Sequence, residues 1–323
     1  MNRRQALAAL VVALTGSVRA AEQQSSRVPV VGLLITHPPA DDTVVEIFRA
    51  GLRKYGYEDG KNVKLEVRTA LGRLERVPRL AEELVRLRVD VIVVVNEVAL
   101  RASRQATRTI PIVMVGFTDD PVALGWIQTY RCPGGNITGV FNVNAALGAK
   151  RLEILKETLP SLSRVAVLWD TFGKRQLDEL QGAAPSLRLR LDLIEIQDPN
   201  DLEGAFRDAK ARRNGAVIMT FSPVFWINRT QVAAIALDKG LPTMSDNQIL
   251  GQTGCLLAYG SDAYYNWERA AYFVDRLLKG SDAAELPVEQ ISKLTLVVNL
   301  KTAKTLGITI PESILLRADE VIR

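Results

Sequence analysis

The 323-residue chain has one histidine, two cysteines and four tryptophans. Each scarcity excludes a chemistry. A lone His37 rules out a histidine-rich metal cluster, and no Cys-x-x-Cys pair supplies thiolate ligands or a redox couple. No Gly-x-Ser-x-Gly sequence provides a nucleophile elbow. Phosphate loops are missing as well. Cys132-Pro-Gly-Gly-Asn-Ile-Thr-Gly139 has no Lys-Ser/Thr after it and leads into a strand-like run, and Gly60-Lys61-Asn62 lacks the hydroxyl and the upstream glycine. Asp119 and Asp120 are adjacent, but neighbours on a turn diverge, which leaves acid–base catalysis without a paired site. A hydrolase or lyase is therefore the minor reading.

The charge is also unremarkable in sign. The formal value of +5 includes a segment that reads as an export signal, residues 1–20. Arg3 and Arg4 form its basic start, Ala6 to Leu14 its short apolar run, and Val18-Arg19-Ala20 its cleavage site. The run is too short for a permanent membrane span. The paired arginines fit either the general or the twin-arginine route, and no cysteine at the cut offers a lipid anchor. Subtracting Arg3, Arg4 and Arg19 from 41 basic residues leaves 38 against 36 acidic ones. Such a balance carries no footprint for nucleic acid. In an oxidising compartment Cys132 and Cys255 could pair; their apolar surroundings near strands predict two separate buried thiols instead.

At 47% hydrophobic and 24% charged the composition is that of a globular protein, long enough for about two domains. From Pro29 apolar runs alternate with helical periodicity. The runs at 28–35, 89–95, 110–116, 164–169 and 216–221 read as strands buried on both faces. Segments around 44–52, 74–85, 99–106, 121–130, 151–159, 201–213, 229–238 and 262–279 read as helices. The alternation predicts parallel βαβ units in two successive α/β halves, and the Pro133 to Gly139 stretch is the turn into the last strand of the first. Gly134 and Gly135 are expected to supply its special conformations.

Ligands of open parallel sheets bind beyond the carboxyl ends of the strands. Those ends carry Thr36 and His37, Asn96 and Glu97, Phe117 to Asp119, and Phe141 with Asn142 in the first half. The second half contributes Asp170 and Phe172, Phe221 and Ser222, Ser245 and Asp246, and Tyr259. Aromatic faces mixed with hydroxyls and carboxylates suit a small amphipathic solute held between two lobes. Helix starts after Asn96 and near Thr118 are candidates for a ligand carboxylate, and Asp246 or Asp119 for an amine. The strand ends offer phenylalanines and a tyrosine rather than tryptophan, which favours a carboxylate-bearing ligand with an apolar part over a sugar.

Several stretches also carry a resemblance. "FRAGLRKYGYEDGKNVKLEVR" (48–68), "ELVRLRVDVIVV" (83–94), "PGGNITG" (133–139), "KRLEILKETLP" (150–160) and above all "LPVEQISKLTLVVNLKTAKTLGITIPESILLRADEVI" (286–322) resemble ABC-transporter substrate-binding proteins of the tryptophan/tyrosine-uptake type. The resemblance implies a type I periplasmic-binding-protein fold: two Rossmann-like parallel-sheet lobes joined by a hinge. It places lobe one at 28–143 plus 262–290 and lobe two at 144–261 plus 291–323. It also implies a periplasmic monomer, without cofactor, that delivers its ligand to an ABC permease; a receptor presenting ligand to a sensor shares every binding feature. The chain departs from the family pattern at Asn96-Glu97-Val98, at Asp246-Asn247-Gln248-Ile249 and in a short loop after Trp169, all three at the expected cleft.

Overall fold

The computed structural model describes residues 27–36, 43–117, 120–142 and 147–323. The predicted export signal, His37, Thr118 and Asp119 lie outside the described residues. The first half runs β1 (Val30–Ile35), α1 (Thr43–Lys54), β2 (Lys64–Thr69), α2 (Val77–Arg86), β3 (Val91–Val94), α3 (Glu97–Ala106), β4 (Ile112–Phe117) and β5 (Ile137–Asn142). The second runs α4 (Gly148–Thr158), β6 (Arg164–Trp169), α5 (Lys174–Ala183), β7 (Arg190–Glu195), α6 (Asp201–Ala211), β8 (Ala216–Met219), α7 (Pro223–Ile227), α8 (Arg229–Asp238), β9 (Thr243–Ser245), α9 (Gln248–Thr253) and β10 (Leu257–Ser261). The chain ends with α10 (Ala263–Leu278), β11 (Glu289–Ile291), β12 (Leu294–Asn299), α11 (Leu300–Thr305), α12 (Glu312–Leu315) and β13 (Glu320–Ile322).

These strands form two sheets, ordered β11-β5-β4-β3-β1-β2 and β13-β12-β10-β9-β8-β6-β7. All neighbours in the first are parallel; in the second only the β10–β12 pair is antiparallel. Without the late-added strands at one edge, both halves share one order, second-first-third-fourth-fifth. That order reverses direction between the first and third strands, so each sheet has a switch point, at β1/β3 and at β6/β8. The chain passes between the sheets after β5, after β10 and after β11.

Helix α10 follows the second half in sequence yet packs on the first sheet. Trp267, Ala270, Phe273 and Val274 join Phe48 and Leu52 of α1 in one core, with the Phe48 and Trp267 rings 5.6 Å apart. Gly51 lets the two helices close: a Cβ there would lie 3.1 Å from that of Ala271. Strand β4 carries a bulge between Met114 and Phe117, with Gly116 at φ 69°. Bulges re-aim side chains beside sites, and this one faces the cleft with Val115 and Gly116.

Some local expectations need correction. Residues 121–130 form no helix: the N–H of Trp126 bonds the Pro121 carbonyl at 2.9 Å, and Gly125 at φ 68° then turns the chain away. Asp120 caps that turn, its carboxylate accepting from the N–H of Val122 at 2.8 Å. Gly134 takes φ 76°, but Gly135 is not in the left-handed region. Strand β5 is the last strand of the first half, as expected, and β11 later pairs alongside it. Cys132 is exposed on that surface turn and only Cys255 is buried; both are free. Burial pushes the Cys255 thiol up to about 12.

Candidate functional site

The two switch points face each other across the cleft and are built alike. In the first, Asn96 donates from Nδ2 to Thr36 Oγ1 at 2.6 Å and caps α3 by accepting from the N–H of Ala99 at 3.0 Å. In the second, Ser222 donates from Oγ to Asp170 Oδ2 at 2.5 Å and caps α7 by accepting from the N–H of Val224 at 3.0 Å. Asp170 also accepts from the N–H of Phe172 at 2.9 Å. Burial pushes the Asp170 carboxyl up, opposed by the Ser222 hydroxyl and these amides. Asn96 and Ser222 thus each spend one donor and one acceptor on holding the rim.

Between them lies an inner chamber of about 130 Å³. One water needs only about 10–15 Å³ by the same measure, so a small organic group fits. Val95, Asn96, Val115 and Asn142 line it from the first half, and Phe221, Trp226, Asp246, Ile249 and Leu250 from the second. The end of β10 and the start of α10 also line it, through Ser261, Ala263, Asn266 and Trp267. No lysine or arginine is among the described residues lining it. The Trp226 ring is backed by the Arg229 guanidinium, 5.4 Å from the ring centre.

Asp246 is the chamber's carboxylate, only 5% exposed at the end of β9. Its Oδ2 accepts from Gln176 Nε2 at 3.0 Å, and Gln176 Oε1 accepts from the N–H of Phe221 at 2.7 Å. One buried amide on α5 therefore orients both the acid and the aromatic segment. Asn266 is 6% exposed; its Nδ2 donates to Ser261 Oγ at 3.2 Å, and its Oδ1 has no hydrogen-bond partner.

The predicted residues distribute unevenly. Asn96, Asn142, Phe221, Ser222 and Asp246 meet in the inner chamber. Glu97, Phe117 and Phe172 line an adjoining groove with Asn96 and Phe221, while Thr36 and Asp170 lie on an outer groove with Phe172. Glu97 pairs with Arg101 at 2.5 Å. Phe141 instead stacks on Tyr130, with ring centres 5.3 Å apart. Ser245 is buried and accepts from the N–H of Asn247, and Tyr259 packs against the second core. Sequence reasoning missed Gln176, Trp226, Asn266 and Trp267, which sit on helices away from the strand ends. Two of the four tryptophans lie in the chamber, so the expectation of a cleft without tryptophan does not hold.

Two α/β lobes with a chamber at facing switch points are the architecture of the two-lobed solute receptors. Residues 28–322 match the family of ABC transporter substrate binding proteins, and the chain belongs to that family, one of binding proteins rather than enzymes. It is similar to a tyrosine-binding protein of Clostridioides difficile (strain R20291), 23% identical over 279 residues, 85% of this chain and 79% of that protein. A conserved domain protein from Vibrio cholerae shares the fold with a TM-score of 0.81 and 25% identity, over 91% of this chain and 100% of that one. An ABC domain from Streptococcus pneumonia in complex with L-Trp gives a TM-score of 0.80 at 24% identity, over 92% of this chain and 100% of that one.

Proposed function

We propose that the protein captures a small amino-acid-like solute, with an aromatic or branched apolar part, and hands it to an ABC permease. The observation that carries this reading is the chamber itself, where one carboxylate is set among aromatic and aliphatic walls. Asp246 receives the ligand's ammonium, and Phe221, Trp226 and Trp267 flank its apolar body. The carboxylate goes to the backbone N–H groups at the start of α3, just after Asn96. A sugar needs many hydrogen-bonding side chains with spare capacity, and Asn96 and Ser222 each spend a donor and an acceptor on the rim. The ligands of two relatives, tyrosine and L-Trp, are of the proposed class.

Ligand bridging the lobes stabilises the closed state, which the permease reads. The protein works as a periplasmic monomer released from a cleaved signal of residues 1–20. A thermal-shift screen of amino acids, aromatic acids and monosaccharides on the mature protein tests the ligand class. Saturable stabilisation by an amino acid is expected; a response to a monosaccharide alone overturns it.

A further inference from the structure

Arg151 is a charged side chain where none is easily kept. It is only 2% exposed, and its Nη2 has no hydrogen-bond partner. It also stands in the first turn of α4, where a cation opposes the helix dipole. Burying an uncompensated charge is strongly destabilising, so the guanidinium needs a counter-charge nearby.

The sheet register identifies that counter-charge. Arg151 donates from Nε to the Tyr259 carbonyl at 2.7 Å. Strands β9 and β10 run parallel with Ser245 beside Ala258, so Asp246, the first residue past the end of β9, emerges beside Tyr259, which continues β10. The bond to the Tyr259 carbonyl therefore brings the guanidinium near Asp246, the carboxylate among the described residues lining the chamber, while Arg151 itself is not among them. Burial lowers the basicity of Arg151, and the Asp246 carboxylate and Tyr259 push it back up. Asp246 also accepts from the neutral amide of Gln176.

We propose that Arg151 is the charge-balancing residue of the cleft: it neutralises Asp246, so the chamber prefers a ligand bearing both an ammonium and a carboxylate over the corresponding simple amine. Without Arg151 the chamber would hold an unbalanced negative charge and favour cations. With it, an amine lacking its carboxylate brings an excess positive charge into a low-dielectric site and is rejected. Arg151 does not touch the ligand in this scheme; it acts through Asp246. The inference rests on the amino-acid reading above.

The experiment is calorimetric titration of mature wild type, Arg151→Met, Arg151→Lys and Asp246→Asn with three probes: L-tyrosine, tyramine and 3-(4-hydroxyphenyl)propionate. Wild type is expected to favour tyrosine. In Arg151→Met the tyramine-to-tyrosine affinity ratio should rise about tenfold or more, the scale of one charge-assisted interaction. Arg151→Lys should bring it back toward wild type. Asp246→Asn should shift selectivity the opposite way, toward the propionate. A merely structural arginine would weaken all three probes together, so an unmoved ratio in Arg151→Met overturns the proposal. Should that variant not fold, an unmoved propionate-to-tyrosine ratio in Asp246→Asn overturns it instead. Wild type that binds none of the three probes removes the amino-acid reading and this inference with it.

Discussion

Gln176→Leu is the most searching perturbation of the cleft, because a single amide serves two partners there. The substitution removes the 3.0 Å hydrogen bond to Asp246 and the 2.7 Å bond from the N–H of Phe221. A bond to a charged acceptor contributes about 1.5–3 kcal/mol, and an unsatisfied buried N–H costs about 1–3 kcal/mol. Leucine recovers part of this by burying apolar surface, and cleft water reaches the half-buried Phe221 segment. A net loss of roughly 2–3 kcal/mol remains, or about 4–12 °C in Tm for lobes of this size. Affinity falls too, by about tenfold, since Asp246 is no longer held toward the ligand. Thermal melting of the ligand-free protein and calorimetric titration read the two effects separately. Gln176→Glu sharpens the test: it keeps an acceptor for Phe221 but sets a second carboxyl at hydrogen-bonding distance from Asp246. Two such carboxyls share a proton, so binding should become pH-dependent in that variant. An unchanged Tm and an unchanged affinity in Gln176→Leu would refute the two-partner reasoning.

Other expectations follow from the same geometry. Phe221→Ala should weaken ligand binding without changing its salt dependence, because the lost contact is apolar; a steeper salt response would assign Phe221 a different role. Ellman titration of the native protein should count one thiol quickly, the exposed Cys132, and a second only on denaturation, since Cys255 is buried with its thiol pushed up to about 12. Two fast thiols would contradict that placement. Gly139→Ala should destabilise markedly, as Gly139 sits at φ 123° and a Cβ there would lie 2.4 Å from the Met114 carbonyl oxygen; an unchanged melt would show that the β4–β5 pair can spread. Mass spectrometry of protein from a periplasmic extract should find Ala21 or a near neighbour as the first residue, and an intact Met1 there would discard the export proposal.

The strands with the clearest signal in the sequence are those buried on both faces. Val91–Val94 and Ala216–Met219 are unbroken apolar runs because helices cover both sides of their sheets. Strands β11 and β13, three residues each, carry no period to read, and their partners lie far away in sequence. The strand-end rule located Asn96, Phe221 and Asp246 because switch points lie at strand ends in any open parallel sheet. It had no reach to Asn266 and Trp267, which enter the chamber on a helix that arrives from the other half. Gln176 and Arg151 are hidden for a different reason. Each occupies a polar position on an amphipathic helix, and nothing in the local pattern separates a buried polar group from a solvated one. The arithmetic of tryptophan was the one unused clue.

The place of α10 governs when the protein can fold. The first core includes Trp267, Ala270, Phe273 and Val274, and its sheet is completed by Glu289–Ile291. A chain emerging N-terminus first therefore has one face of the first sheet unfinished after 142 residues, although five of its strands are already out. Beside α1, that face stays uncovered until α10 has followed, and domains otherwise tend to fold as they appear. Late completion makes the two lobes finish together rather than in turn.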